Sequence, residues 1–290
     1  MERPCSAQST SGLRGDYEAA AADYTVVQDC AAYTPDMHDR WRRLYARQSA
    51  LAGQYAAPQF LSGLQRLDCA HAIPDFDQAG HILEEATGWR LVAVPGFIPD
   101  ACFFAHLAGR RFPVTYWLRE ERELDYLVEP DVFHDFFGHV PMLLDPVFAD
   151  FMAAYGKAGE RATAMGALDM LARIYWYTVE FGLIDQGAGL RAFGAGLVSS
   201  AGEIVHSVES PQPLRLQFDA VRILRTAYHI DAFQSCYFVL DSLEQLMGDL
   251  VALDFGPIYA AWRDSAPLPP DRIVDGDRIY VPQPAVEWVR

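Results

Sequence analysis

Apolar residues recur at helical spacing along most of the chain after residue 34. Thr34, followed by Pro35 and Asp36, is typical of a helix start, because a hydroxyl can cap the first turn and proline fits its first position. Gly88 is expected to end the third helix, since glycine readily adopts the left-handed conformation of a helix end. Further helices are predicted over residues 58–67, 77–87, 99–108, 149–159, 168–183, 218–228 and 242–255.

Strand-like patterns are few and short. Residues 89–95 and 110–119 are predicted to be extended, and residues 272–281 to form a C-terminal hairpin with its turn at Asp275 and Gly276. Residues 1–25 are rich in serine, glycine and alanine and are expected to form a flexible arm. The sequence therefore predicts a mostly α fold with minor β, in a single domain over residues 26–290.

Composition and charge narrow the possible functions. The chain has 290 residues, 51% of them hydrophobic, so it can bury a full core without a structural metal, and any metal site is expected to serve chemistry. Asp and Glu outnumber Lys and Arg by 39 to 23, and the net charge of -16 opposes binding to nucleic acid or to anionic membranes. The five cysteines form no CxxC pair, so no thiolate zinc site is indicated and reduced thiols are expected. Because the chain has no apolar leader and no run of about 18 apolar residues, a cytoplasmic protein is expected.

Two of the eight histidines, His134 and His139, fall in one short segment, EPDVFHDFFGHVP at residues 129–141. A separation of five places them about 140° apart on an ideal α-helix, so they do not share a face. Both can still reach one metal ion if a third ligand comes from another element. Glu180 is the best candidate, because it lies in an otherwise apolar helix where a buried carboxylate needs a compensating partner. The alternative is that Glu180 lies at the solvated edge of that helix and needs no partner.

Two histidines and one carboxylate with open coordination positions are typical of non-haem Fe(II) oxygenases. The same ligands also occur in zinc hydrolases. The zinc-protease signature HExxH has i, i+4 spacing and a glutamate, whereas this chain has HDFFGH, with i, i+5 spacing and an aspartate. The spacing disfavours a zinc protease and leaves another zinc-dependent hydrolase as an alternative.

Three strings closely resemble the pterin-dependent aromatic amino acid hydroxylases: EPDVFHDFFGHVP at residues 129–141, IYWYTVEFGL at 174–183 and FGAGLVSS at 193–200. The resemblance runs in order from residue 24 to residue 255 and is greatest to bacterial members that act on phenylalanine. It implies a catalytic domain that holds Fe(II), uses tetrahydrobiopterin and O₂, and hydroxylates L-phenylalanine to L-tyrosine. Tyrosine and tryptophan are the alternative substrates. A tryptophan at position 176 is similar to the branches of the family that act on phenylalanine and tyrosine, whereas the tryptophan branch has a smaller phenylalanine there.

The resemblance assigns roles to residues that can bind metal or substrate. It implies that His134, His139 and Glu180 are the iron ligands. It also implies that Arg119 binds the substrate carboxylate, which suits a guanidinium because two parallel hydrogen bonds fix the geometry. Without the resemblance, Arg119 is interpreted as a surface charge in the string REERE. Asp131 is interpreted as a partner that fixes an imidazole tautomer, or as a helix cap, and the two roles are compatible.

The substrate ring and the pterin are assigned contacts by the resemblance alone. The ring is expected to lie in a dry slot lined by Pro130, Trp176, Phe181, Gly196 and Ser199. The pterin is expected to contact Gly96, Ile98, Phe103, Asp135 and Tyr175, with Phe103 stacking on its ring. Without the resemblance, the large aromatic residues of both groups are interpreted as ordinary core.

The expected partners are small molecules, namely phenylalanine, O₂ and the pterin. Too few residues precede the expected pterin loop for an additional regulatory domain, and the C-terminal residues show no heptad helix. A monomer is therefore expected.

Overall fold

Helices form most of the structure. The computed structural model describes residues 13–125, 127 and 129–282. Its α-helices are α1 (Pro35–Tyr55), α2 (Pro58–Leu67), α3 (Phe76–Thr87), α4 (Asp100–Ala108), α5 (Pro146–Ala164), α6 (Leu168–Tyr175), α7 (Ala195–Val198), α8 (Ala201–Glu209), α9 (Ala220–Leu224), α10 (Leu243–Ala252) and α11 (Phe255–Trp262). Short 3-10 turns cover Cys30–Ala32, Glu121–Glu123 and Val140–Leu144, and π-helical segments cover Phe133–His139 and Trp176–Glu180. The prediction of a mostly α fold with a few short strands is confirmed.

Local side-chain chemistry sets where several helices begin and end. Thr34 accepts a hydrogen bond from the backbone N–H of Met37 at 3.3 Å, and Pro35 occupies the first turn, so α1 begins where the sequence predicts. Asp145 caps α5 in the same way by accepting from two backbone N–H groups. Gly88 ends α3 with a φ of 75°, a conformation that glycine adopts without a steric penalty. Because these signals are local, they can be read from the sequence.

The strands form two small sheets. β1 (Arg90–Val94) and β2 (Arg111–Thr115) pair in parallel, with Arg90 opposite Arg111 and Val94 opposite Thr115. The second sheet has the order β4-β3-β6-β5, with β3 (Leu183–Ile184), β4 (Arg191–Ala192), β5 (Leu214–Gln217) and β6 (Cys236–Leu240). β3 and β4 are antiparallel, whereas β6 is parallel to both of its neighbours. β2 leads to the segment that contains Arg119, and β3 follows Glu180.

One large cluster of buried apolar residues links elements from α1 to α11. Its aromatic rings include Trp41 of α1 and Phe60 of α2, which are fully buried. Trp41 contacts Phe133 with ring centroids 5.4 Å apart, and Phe60 contacts Phe137 at 5.7 Å, both with edge-to-face geometry. The phenylalanines of the segment Phe133–His139 therefore fix that segment in the core.

The predicted C-terminal hairpin is wrong. The predicted turn does form, since the N–H of Asp277 donates to the carbonyl oxygen of Val274 at 3.0 Å. The chain after the turn pairs with β5 instead of with the preceding residues, and the N–H of Tyr280 donates to the carbonyl oxygen of Arg215 at 2.9 Å. Alternating apolar and polar residues predict an extended segment, but tertiary contacts decide which strand that segment pairs with.

Three smaller expectations also need correction. The helix predicted over residues 218–228 is limited to α9, because the backbone at Thr226 pairs with Leu268 beyond its end. The helix predicted over residues 242–255 ends earlier, as α10, and α11 follows it as a separate element. Cys102 is disulfide-bonded, so the expectation of reduced thiols does not hold for it. Over the described residues, no helix is long and apolar enough to cross a membrane.

Residues 13–25, predicted to belong to a flexible arm, make specific contacts with the rest of the structure. The backbone N–H of Arg14 donates to Oε2 of Glu129 at 3.3 Å, and the Arg14 guanidinium pairs with Glu123. The hydroxyl of Tyr17 donates to the carbonyl oxygen of Phe97 at 3.0 Å. Residues 1–12 of the predicted arm lie outside the described residues.

Candidate metal centre and substrate slot

The π-helical segment Phe133–His139 brings the two candidate histidines together. In a π-helix the backbone hydrogen bonds join residues five apart, so residues at i and i+5 lie one above the other. The imidazole rings of His134 and His139 accordingly lie 5.2 Å apart, centroid to centroid, at an interplanar angle of 85°. The expectation that the two histidines occupy different faces, which assumed an α-helix, is wrong.

Glu180 faces both imidazoles from the end of the second π-helical segment, Trp176–Glu180. Its carboxylate oxygens lie 3.5 Å from Nε2 of His134 and 3.3 Å from Nε2 of His139. All three side chains are largely buried. The alternative that Glu180 lies at a solvated helix edge is therefore excluded.

The residues at 194–196, at the start of α7, pack between the two π-helical segments. A Cβ atom at Gly194 would lie 2.4 Å from the carbonyl oxygen of Glu180. A Cβ atom at Gly138 would lie 3.0 Å from the Cβ atom of Ala195. Both contacts leave no room for a side chain, so glycine allows the backbones to approach closely. This packing sets the separation between the histidine segment and the glutamate segment.

The charges of the three groups are strongly coupled. Burial alone would raise the pKa of Glu180, but the two imidazoles outweigh it and hold that pKa well below its usual value. Burial would lower the pKa of His134, but the hydrogen bond and negative charge of Glu180 raise it overall. The arrangement therefore favours an ionised carboxylate with a positive charge beside it. A metal cation between the three groups meets the same requirement.

Ser199 fixes the tautomer of His134. Its hydroxyl donates its hydrogen to the carbonyl oxygen of Ala195 at 2.7 Å. Because its only hydrogen is used, the hydroxyl oxygen can only accept a hydrogen bond from Nδ1 of His134, which lies 3.0 Å away. The neutral ring then has its proton on Nδ1 and a free lone pair on Nε2, which faces Glu180. Ser199 was predicted to line the substrate slot, and the structure shows a contact with the metal-site histidine.

Asp131 does not contact an imidazole, so its predicted role in fixing a tautomer is wrong. Its carboxylate accepts from the backbone N–H of His134 at 3.0 Å, which agrees with the alternative reading as a helix cap. It also accepts from Nε and Nη2 of Arg119 at 2.9 and 2.8 Å. Burial would raise the pKa of Asp131, but Arg119 and the backbone donors lower it below its usual value. This ion pair also excludes the reading of Arg119 as a surface charge, because both side chains are buried.

Asp135, which was assigned to the pterin, lies beside the two candidate metal ligands His134 and His139. Three atoms lie within 4.8 Å of one another: a carboxylate oxygen of Asp135, a ring nitrogen of His134 and a ring nitrogen of His139. Oδ2 of Asp135 accepts from the backbone N–H of Thr115, the last residue of β2, at 2.8 Å. Burial raises the pKa of Asp135, and the imidazoles offset this only in part. Glu180 approaches the two histidines more closely and remains the better third ligand.

Three of the residues predicted to line the substrate slot, Trp176, Phe181 and Gly196, lie next to one another. The indole of Trp176 lies 4.7 Å from the ring of Phe181 and stacks on Tyr228 at 4.3 Å, and its N–H donates to Oε1 of Gln234 at 2.9 Å. A Cβ atom at Gly196 would lie 2.8 Å from Cζ of Phe181, so these two residues are in close contact. Pro130 is half-buried and immediately precedes Asp131 in the chain.

The predicted pterin residues are only partly brought together. Tyr175 lies between Phe103 and His139, with ring centroids at 5.5 and 6.1 Å. Phe103 is therefore linked through one aromatic ring to the metal-site histidine. Gly96 and Ile98 lie in the loop after β1, where Gly96 has a φ of 144° and approaches the hydroxyl of Tyr17. Ile98 packs against the small cluster formed by Tyr24 and Cys102.

Three residues that contact the site were not predicted from the sequence: Thr115, Tyr228 and Gln234. Each contacts a predicted site residue through a hydrogen bond or a ring contact. Tyr228 and Gln234 lie in an irregular loop between α9 and β6, outside the three strings that carry the resemblance. Their contacts join residues 52 and 58 positions apart in the chain, so no local pattern marks them.

Comparison with known proteins agrees with this geometry. A family model for biopterin-dependent aromatic amino acid hydroxylases matches residues 10–253. The chain belongs to this family. It is 52% identical to phenylalanine-4-hydroxylase of Chromobacterium violaceum over 89% of each chain, and 51% identical to that of Ralstonia nicotianae over 94% of this chain and 86% of the relative. The iron- and phenylalanine-bound crystal structure of the C. violaceum phenylalanine hydroxylase matches with a TM-score of 0.86 and 50% identity, covering 93% of this chain and 97% of that one.

The residues present fit an iron ion. Nε2 of His134, Nε2 of His139 and the carboxylate of Glu180 converge, and Ser199 leaves the lone pair of His134 on the converging side. Two imidazoles and one carboxylate suit Fe(II) and leave other coordination positions open. Imidazole and carboxylate ligands alone do not distinguish iron from zinc. The phenylalanine hydroxylase of C. violaceum, which is 50% identical to this chain, holds iron in its crystal structure.

Proposed function

We propose that this protein is an Fe(II)- and tetrahydrobiopterin-dependent monooxygenase that hydroxylates L-phenylalanine to L-tyrosine with O₂. The observation that supports it most is the convergence of His134, His139 and Glu180 beside the aromatic residues of the slot. When bound, iron and the reduced pterin supply the activation of O₂. The chain itself binds the cofactors, orients the substrate and excludes water.

The roles of the metal-binding residues follow from their contacts. His134, His139 and Glu180 would hold the iron, with Ser199 keeping the His134 lone pair directed at it. The ionised Glu180 supplies a negative charge that partly balances the metal. Asp135, whose burial raises its pKa, lies beside this centre and is proposed to face the pterin.

Arg119 is proposed to bind the substrate carboxylate. Asp131 occupies one edge of its guanidinium, through Nε and Nη2. A carboxylate would therefore bind at the other edge, through Nη1 and the second hydrogen of Nη2. Asp131 holds that edge in a fixed direction, so the ion pair orients the arginine before the substrate arrives.

The substrate ring is proposed to lie in the slot formed by Trp176, Phe181 and Gly196, with Pro130 at its side. These residues are apolar, and a dry slot orients a benzyl group while keeping water from the oxidising centre. Trp176 narrows the slot, which favours the ring of phenylalanine over the larger indole of tryptophan. Gly96, Ile98, Phe103 and Tyr175 are proposed to contact the pterin, with Phe103 stacking on its ring.

The test is an anaerobic reconstitution of the purified protein with Fe(II), followed by tetrahydrobiopterin, phenylalanine and air. We expect tyrosine that depends on both iron and pterin, and its loss in Glu180→Ala. Glu160→Ala is the matched control, because Glu160 is an exposed glutamate of α5, and it should leave tyrosine formation unchanged. Replacing phenylalanine by tyrosine or tryptophan in the same assay measures the substrate preference.

Two outcomes would contradict the proposal in different ways. Hydroxylation of tyrosine or tryptophan, with phenylalanine untouched, would overturn only the choice of substrate. A protein that binds zinc and oxidises none of these substrates would overturn the hydroxylase and favour the zinc-dependent hydrolase. Metal analysis of the purified protein separates these cases.

We also propose that the protein acts as a monomer in the cytoplasm. Support comes from the acidic charge, which disfavours anionic membranes, and from the absence of a heptad pattern in the sequence. Light scattering at micromolar concentration tests the first part, and a tetramer would contradict it. Cell fractionation tests the second.

A further inference from the structure

The loop between α9 and β6 holds the indole of Trp176 at two points. Tyr228 stacks on its face, with ring centroids 4.3 Å apart and an interplanar angle of 16°. Gln234 accepts a hydrogen bond from its N–H at 2.9 Å. Stacking alone allows one ring to slide across another, whereas the hydrogen bond fixes the direction of the indole in its own plane.

The side-chain amide of Gln234 has only one orientation that satisfies its surroundings. Its Nε2 donates to the carbonyl oxygen of His229 at 2.8 Å and lies 3.3 Å from that of Ala232. Because both neighbours are acceptors, the nitrogen faces them and Oε1 faces the indole N–H. The residue is 4% exposed, so water does not compete effectively for these bonds.

Glu203 of α8 anchors the backbone of this residue. Its Oε1 accepts from the N–H of Gln234 at 2.8 Å and from the hydroxyl of Tyr237 at 3.0 Å. Glu203 is 6% exposed, and a carboxyl group buried to that degree is stabilised only by such partners. A chain of hydrogen bonds therefore runs from α8 through Gln234 to the slot.

We propose that Gln234 is a positioning residue that sets the aromatic specificity of the slot, with Glu203 as its anchor. The inference rests on the proposed function, since it assumes that Trp176 borders the substrate ring. Gln234 acts through Trp176 alone: it fixes the indole relative to Phe181, and their 4.7 Å separation defines one wall of the slot. Losing the acceptor leaves the indole N–H without its partner in the protein and frees the indole to turn.

The test is a double-mutant cycle with Gln234→Met and Trp176→Phe. Methionine has about the length of glutamine but offers no comparable acceptor, so Gln234→Met should raise the KM for phenylalanine about tenfold with little change in kcat. It should also reduce the preference for phenylalanine over tryptophan. In the Trp176→Phe background, which has no indole N–H, the same substitution should have no effect on either quantity.

Glu203 provides a matched pair of variants. Glu203→Gln keeps an oxygen that accepts from both donors and should retain the wild-type KM, whereas Glu203→Met should resemble Gln234→Met. An unchanged KM in Gln234→Met would overturn the inference, and so would an equal rise in the Trp176→Phe background. If the wild-type protein forms no tyrosine, it is the proposed function that fails. The Kd of phenylalanine, measured by calorimetry on the same four proteins of the cycle, then decides the positioning role by the same comparison.

Discussion

The hydroxyl oxygen of Ser199 lies 3.0 Å from Nδ1 of His134, on the opposite side of the ring from Glu180. This contact connects the C-terminal end of α7 to a candidate metal ligand through a single hydrogen bond. Residues that hold the outer nitrogen of a ligating histidine fix both its tautomer and its ring orientation. The Ser199 hydroxyl is therefore expected to influence the metal without touching it.

Ser199→Ala should weaken Fe(II) binding about 10- to 100-fold, because the His134 ring loses the acceptor that keeps its lone pair on Nε2. Competition with a chelator under anaerobic conditions measures this affinity. Ser207→Ala is the control, since Ser207 is also a buried serine whose hydroxyl donates to a backbone carbonyl, but within α8. Equal iron affinities for the two variants would contradict the role of Ser199.

Asp131→Ala should lower the free energy of unfolding by about 3–5 kcal/mol, because it leaves the buried Arg119 without its counter-ion. Urea unfolding followed by circular dichroism measures the change. Asp125→Ala is the control: Asp125 pairs with Arg47 at 2.7 Å, a similar distance, but its side chain is 91% exposed. Exposed ion pairs contribute little, so the control should unfold almost like the wild type. Similar losses in both variants would show that burial is not what makes the Arg119 pair important.

Gly196→Ala should reduce kcat/KM for phenylalanine about 10- to 100-fold, since small displacements near a reacting centre are costly. The new Cβ atom would lie 2.8 Å from Cζ of Phe181 and 3.1 Å from the carbonyl oxygen of Glu180, so the slot must shift. Gly53→Ala in α1 is the control, because a Cβ atom there meets no other atom within 4 Å. That variant should retain full activity and gain about 0.5–1 kcal/mol of stability from reduced chain entropy. Full activity in Gly196→Ala would rule out a tight slot at this position.

Glu203 should make the stability of the protein depend on pH in a specific window. Burial raises the pKa of Glu203 to about 7, and the hydrogen bonds from Gln234 and Tyr237 offset part of that rise. In the unfolded chain the pKa returns to its ordinary value of 4.5. Between these values the folded protein holds a proton that the unfolded chain has released, so the contribution of Glu203 to stability is lost as the pH rises from 4.5 through 7.

Glu203→Gln removes this titration and should flatten the fall in the free energy of unfolding over that window. The measurement is urea unfolding of wild type and variant at pH 5 and pH 7.5, because other carboxyl groups cancel in the comparison. Parallel pH dependence of the two proteins would show that Glu203 keeps an ordinary pKa in the fold.

The sequence predicted those parts of the fold that depend on neighbouring residues. Thr34, Pro35 and Gly88 signal helix ends through their own side chains or backbone freedom, and the structure follows them. The C-terminal hairpin failed because Tyr280 pairs with Arg215, far away in the chain. Pairing between distant segments depends on which surfaces meet, and no local pattern contains that information.

The candidate site shows the same division. His134, His139 and Glu180 were predicted from residue type and from the resemblance. The structure brings the carboxylate of Glu180 within 3.5 Å of Nε2 of each histidine. The contacts that orient them were predicted only in part. Asp131 caps the segment at His134, as one of its two predicted roles has it, but it does not touch an imidazole, and Ser199 was assigned to the slot. A side chain that can donate and accept in several directions has many possible partners, and only the fold selects among them.

The π-helical turn at Phe133–His139 makes the metal centre sensitive to chain length. Inserting one alanine between Phe137 and Gly138 would preserve every ligand and yet rotate His139 away from His134, because the two would no longer be one π-turn apart. A deletion at the same place would shift His139 relative to the core phenylalanines that anchor the segment. Substitutions here change one side chain at a time, whereas a single insertion would separate the ligands of the whole centre.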